Sequence, residues 1–111
     1  MPGTVKRIGP VALTTTMTTD IYNNTSALIF DVLKHIHIAN KSGAAATFSL
    51  WLGATGGNVA GTELFTDVSI EAGDYFDWYG NIFMDNGDFL VGGSDTATAL
   101  TLMATTEQFV V

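Results

Sequence analysis

The chain has no cysteine, which excludes a disulfide framework, a thiolate nucleophile and a zinc–thiolate cluster. It is also short of charge: Asp, Glu, Lys and Arg make up 14% of its 111 residues, where about a quarter is usual. Four basic residues against 11 acidic ones give a net charge of −7. Duplex nucleic-acid binding by phosphate neutralisation needs clustered Lys and Arg and is therefore not expected. No apolar run approaches the roughly 20 residues of a membrane-spanning helix, and residues 1–16 lack the continuous apolar core of a signal peptide. No membrane partner is expected either. Helical spacing of apolar residues is never sustained beyond two turns.

What is present is a chain that is 47% hydrophobic with 12 glycines, long enough to bury one core. Turn clusters recur about every ten residues between short alternating apolar segments. This predicts an all-β fold, an antiparallel β-sandwich of jelly-roll or immunoglobulin-like type, with seven to nine strands. Residues 1–12, with Pro2, Gly3, Gly9 and Pro10, read as an extended N-terminal arm, and residues 13–111 as a single sandwich domain.

Within the domain, the threonine-rich run Val11–Thr19 has strong β propensity, and Asp20–Ser26 reads as a turn. A strand over 27–39 and one over 46–52, joined by the turn Asn40-Lys41-Ser42-Gly43, are expected to pair as a hairpin. Further strands are expected over 64–70, 75–83, 89–91 and 99–105. Glu71–Asp74, Asp85-Asn86-Gly87-Asp88 and Gly92–Asp95 read as the turns between them, the second with hairpin chemistry. The apolar end Phe109-Val110-Val111 is expected to tuck in.

Candidate chemistry is sparse. His35 and His37 lie two residues apart on a strand, so both imidazoles share a face. A metal site there would need a third ligand from a distant acid such as Asp77 or Glu107. The expected reading is the polar face of a half-buried strand, with no metal and no cofactor. The loop Gly53–Gly61 has phosphate-loop glycines but no Gly-Lys-Ser/Thr. No Gly-x-Ser-x-Gly elbow exists, and no enzymatic activity is expected. Asn23-Asn24-Thr25 and Asn40-Lys41-Ser42 fit glycosylation sequons but read as turn residues.

Two features suggest binding. Trp51, Tyr75, Trp78 and Tyr79 are candidates for core packing, a subunit interface or sugar stacking. All four basic residues, Lys6, Arg7, Lys34 and Lys41, fall in the first 41 residues, and every charge from Ser42 onward is negative. A weakly basic front thus precedes an acidic body.

The segments Ile36-His37-Ile38-Ala39-Asn40-Lys41-Ser42-Gly43-Ala44-Ala45-Ala46-Thr47-Phe48-Ser49-Leu50, then Leu64–Ile70 through Ala72-Gly73-Asp74 to Trp78, then Gly87-Asp88-Phe89-Leu90, resemble small tailed-bacteriophage virion proteins of the head decoration or minor capsid type. The similarity spans approximately residues 28–105. The chain departs from that pattern at Glu71, where a proline is frequent, and at Asn23–Ala27. The resemblance implies a non-enzymatic capsid decoration or cement protein, a homotrimer made in the bacterial host cytoplasm and located on the virion capsid surface. Its partner would be the major capsid protein, gripped by Lys6, Arg7 and Ile8, with Trp51, Tyr75, Trp78 and Tyr79 between subunits. A neck or tail subunit and a carbohydrate-binding adhesion module are the alternatives.

Overall fold

A computed structural model describes residues 3–25 and 28–110. Met1 and Pro2 of the expected arm, Ser26 at the end of the expected turn, Ala27 at the start of the strand expected over 27–39, and Val111 lie outside the described residues. The described residues form eight strands and no helix: β1 (Thr4–Ala12), β2 (Asp20–Asn23), β3 (Ile29–Asn40), β4 (Ala46–Gly53), β5 (Glu63–Ile70), β6 (Tyr75–Met84), β7 (Phe89–Ser94) and β8 (Leu100–Val110).

They make two four-stranded sheets, a front sheet in the order β1-β8-β3-β6 and a back sheet in the order β2-β7-β4-β5. Every pairing is antiparallel. Eight strands nested in this order are a jelly roll, which selects between the two expected sandwich types.

Alternation builds the core. Ile36 and Ile38 of β3, Phe48 and Leu50 of β4, and Leu100, Leu102 and Ala104 of β8 are at most 1% exposed, each two residues from the next on its strand. A bulge between Leu33 and His35 lets Leu33 and Ile36, three residues apart, both point inward and fully buried. Burying each of the Ile, Leu and Phe side chains among these stabilises by about 1.5–3 kcal/mol before chain entropy is counted.

Several local expectations are corrected. From Thr4 onward the segment expected as an arm is β1, paired along β8 from Thr4↔Gln108 to Ala12↔Thr101. Pro10 sits at the register shift of an edge strand, where a missing N–H removes no ladder bond. The threonine run yields a strand only at Val11 and Ala12; Leu13–Thr19 crosses to the back sheet. Thr19 Oγ1 donates to Thr16 O at 2.7 Å, a local bond that competes with strand pairing. The crossing packs on Gly93, where a Cβ would lie 2.6 Å from Thr14 O.

The expected turn at residues 20–26 contains β2, Gly92–Ser94 belongs to β7, and β8 runs on to Val110. β3 and β4 are not a hairpin, because they lie in different sheets. Asn40 redirects the chain between them: it is 2% exposed, its Nδ2 donates to Ala44 O and Ile70 O, both at 2.9 Å, and its Oδ1 accepts from Ser42 N and Oγ. Asp85–Asp88 likewise turns the chain from the front sheet to the back one, with Gly87 at φ 89°.

A charged residue is sealed inside. Asp31 is fully buried and accepts from Tyr22 Oη at 2.9 Å and Thr106 Oγ1 at 3.0 Å. Gln108 Nε2 in turn donates to Tyr22 Oη at 3.1 Å.

Candidate functional site

The outward face of the front sheet collects the exposed side chains of β3 and β6. Their register sets His35 opposite Tyr79, His37 opposite Asp77 and Ala39 opposite Tyr75. Opposed residues have their Cβ atoms about 4.5–5.5 Å apart, close enough for direct contact. Asp77 Oδ1 accepts from both His35 Nε2 and His37 Nδ1 at 2.7 Å. These hydrogen bonds, that from His35 first, hold the Asp77 carboxyl below the usual carboxylate range.

The flanking tyrosines orient the imidazoles. Tyr79 lies parallel on His35, centroids 4.3 Å apart at 5°, and Tyr75 leans on His37 at 5.5 Å and 34°. Both remain open to solvent, Tyr75 at 62% and Tyr79 at 72%.

The other end of the same face is apolar. Phe30 stacks between Phe83 at 4.8 Å and Phe109 at 5.2 Å, and Phe83 is 53% exposed. Between the two ends, Lys34 Nζ donates to Asn81 Oδ1 at 2.6 Å and lies 3.7 Å from Glu107. One sheet face therefore presents a phenylalanine stack, a small charged strip and a tyrosine-flanked His-Asp-His cluster in sequence.

The residues singled out from sequence are divided by this geometry. Tyr75 and Tyr79 belong to the outward face. Trp78 alternates inward, half-buried against the core and edge-on to Phe65 at 6.5 Å. Trp51 sits on β4 out of phase with Phe48 and Leu50, on the outer side of the back sheet. The four aromatics are thus not one surface. Ile8 is 4% exposed and part of the core, so it offers nothing to a capsid surface. Arg7 is exposed one position away, on the opposite side of β1. Lys6 leans over the Tyr22 ring, 5.8 Å from its centroid, at the open rim of the sandwich.

Sequence reasoning missed the Phe30, Phe83 and Phe109 stack. Its three members lie far apart in the chain and meet only through the β3–β6 and β3–β8 registers. The signal for Asp77 was present in Tyr75-x-Asp77-x-Tyr79, which alternates with Phe76 and Trp78 and so places the acid on the face away from the core.

The face and strand order define a jelly roll with an exposed aromatic sheet surface. No family model matches the chain, and no curated protein matches its sequence. Among solved structures, it is similar to a chain of the infectious bursal disease virus T13 particle at 8% identity and a TM-score of 0.48, over 96% of this chain and 31% of that one. The EclA C-terminal domain, a sugar-binding protein, aligns over 100% of this chain and 79% of its own length, at 12% identity and a TM-score of 0.41. The tobacco streak virus coat protein aligns over 73% and 60% respectively, at 11% identity and a TM-score of 0.38. The chain spans about a third of the viral particle chain it resembles. Structural neighbours thus include viral particle and coat chains and a sugar-binding domain.

Proposed function

We propose that this chain is a non-enzymatic structural subunit of a tailed-bacteriophage virion, a decoration protein that binds the assembled head lattice and stabilises it. The observation that carries this reading is the outward face of the front sheet. Phe83, Tyr75 and Tyr79 are more than half exposed on it, and apolar surface beyond what one core consumes marks an interaction site. The sequence resemblance over residues 28–105 supplies the class of particle, and the major capsid protein is the partner.

Subunits act as homotrimers at local symmetry axes of the head, so that modest contacts are multiplied by avidity. Binding the lattice but not its dissociated subunits stabilises the lattice by mass action. Synthesis is in the host cytoplasm and the final location is the capsid surface.

Co-sedimentation with expanded heads that lack the protein tests the role. Saturable binding supports it, and the absence of binding moves the chain to a neck or tail position. Light scattering at micromolar concentration tests the trimer, which a monomeric mass would rule out.

A second reading, a carbohydrate-binding adhesion module, is favoured by one feature: Tyr75 and Tyr79 flank a carboxylate on an open strand, offering stacking surfaces beside a hydrogen-bond acceptor. Glycan retention that is lost in Tyr79→Ala and not in Trp51→Ala supports it.

A further inference from the structure

We infer that His35, His37 and Asp77 form a binding site for a borderline divalent transition-metal ion, of the Zn²⁺ class, on the outward face of the front sheet. Two strands build it independently. The His-x-His spacing on β3 turns two imidazoles to one side, and the β6 register sets Asp77 directly opposite His37.

Three donor atoms, His35 Nε2, His37 Nδ1 and Asp77 Oδ1, lie within 4.8 Å of one another, and the carboxylate oxygen is 2.7 Å from each nitrogen. A tetrahedral ion with donors at about 2.0–2.1 Å holds them roughly 3.4 Å apart. The set is already gathered, and an ion needs only to spread the two N–O pairs while drawing in the nitrogens.

The donor chemistry narrows the ion. Two imidazoles and one carboxylate suit Zn²⁺, Ni²⁺ or Cu²⁺. Ca²⁺ takes six to eight oxygen ligands and Mg²⁺ a near-octahedral oxygen shell, and this cluster supplies neither. A neutral imidazole carries its proton on either ring nitrogen, so each ring can release the donor nitrogen that now bonds Asp77. The ring contacts with Tyr79 and Tyr75 limit how far the imidazoles swing. The three side chains keep between 24% and 34% of their surface exposed, which leaves an entry path and a fourth coordination position for water.

The test uses untagged full-length protein stripped with chelator. Titration with Zn²⁺ by calorimetry, and with Co²⁺ by visible absorption, should show saturable binding of one ion per chain, with Zn²⁺ displacing Co²⁺ and Ca²⁺ displacing neither. The ring signals of His35 and His37, the two histidines of the chain, should both move in the NMR spectrum on adding Zn²⁺. Asp77→Asn should weaken binding by at least about tenfold, since loss of even an outer partner costs 10–100-fold elsewhere. The double variant His35→Ala, His37→Ala should abolish it.

Unmoved histidine signals in the unmodified protein overturn the site without any variant. So does Zn²⁺ affinity unchanged in a double variant whose circular dichroism matches the parent, or displacement by Ca²⁺. The measurement needs no capsid, so its result stands apart from that of the head-binding experiment.

Discussion

Tyr22 of β2 and Asp31 of β3 are joined by a 2.9 Å hydrogen bond that ties the back sheet to the front one. The acid is fully buried and depends on this donor and on Thr106. Tyr22→Phe should therefore cost about 1–3 kcal/mol, the price of leaving a buried acceptor short of a partner, read as a lower denaturation midpoint.

The same bond gives an alkaline signature. Burial first, and then the bond to Asp31, push the Tyr22 hydroxyl up to about 12 from 10.0. The folded state thus holds the proton that the unfolded chain releases, so stability is fully present below pH 10 and falls as pH rises from about 10 through 12. Denaturant midpoints across that window should fall in the parent, and less in Tyr22→Phe.

Trp78 and Gly80 offer a packing test. A Cβ on Gly80 would meet Trp78 Cζ2 at 2.6 Å, so Gly80→Ala must displace the indole, with a cost of about 1–3 kcal/mol and a red-shifted tryptophan emission. Gly43→Ala, where a Cβ meets nothing within 4 Å, should change stability by no more than about 0.5 kcal/mol.

Asp95 provides an acid-side test. Its Oδ1 accepts the Thr47 N–H at 2.9 Å, and that bond, with others from neighbouring side chains, holds its carboxyl below the usual 3.8. A lowered folded value means the contribution is present above about pH 3.8 and is lost as pH falls through that lowered value. Asp95→Asn should shrink this part of the acid-induced loss, measured by unfolding between pH 5 and 2.

Tyr79 and Trp51 separate the two outer faces. If the front sheet docks on the head, Tyr79→Ala should weaken head binding by about 2 kcal/mol or more, as interface anchors do, or roughly 30-fold. Trp51→Ala, on the back sheet, should leave it nearly unchanged. The reverse order in co-sedimentation would assign docking to the back sheet.

How much of this was legible in the sequence depends on range. Alternation at Phe48 and Leu50, or at Leu100 and Leu102, reports which side of a strand is buried, and those assignments match the core. Partner choice is not a local property. The Asn40-Lys41-Ser42-Gly43 segment has turn composition either way, and only the bonds from Asn40 to Ala44 and to distant Ile70 determine that it carries the chain between sheets. The same burial leaves the Asn40 amide committed to two carbonyls, consistent with a turn residue rather than a glycan acceptor. The His-x-His spacing was visible and Asp77 was one of two acids offered to complete it, but the choice of Asp77, 40 positions beyond His37, over Glu107 is made by a strand register that no local pattern encodes.

Of the six strand pairings among the described residues, only β4–β5 joins consecutive strands. β1 finds its ladder on β8, at the opposite end of the described chain. During synthesis β1 emerges with no ladder to join until β8 has been made, and its Val5 and Ile8 must wait unpaired. Loop closure over such spans precedes any reward from the contacts it allows, which makes this topology a slow folder. A nascent chain is therefore most vulnerable to mispairing with other copies of itself while translation is still under way, and the sparse basic and apolar edge residues of β1 bear on its synthesis as much as on the folded protein.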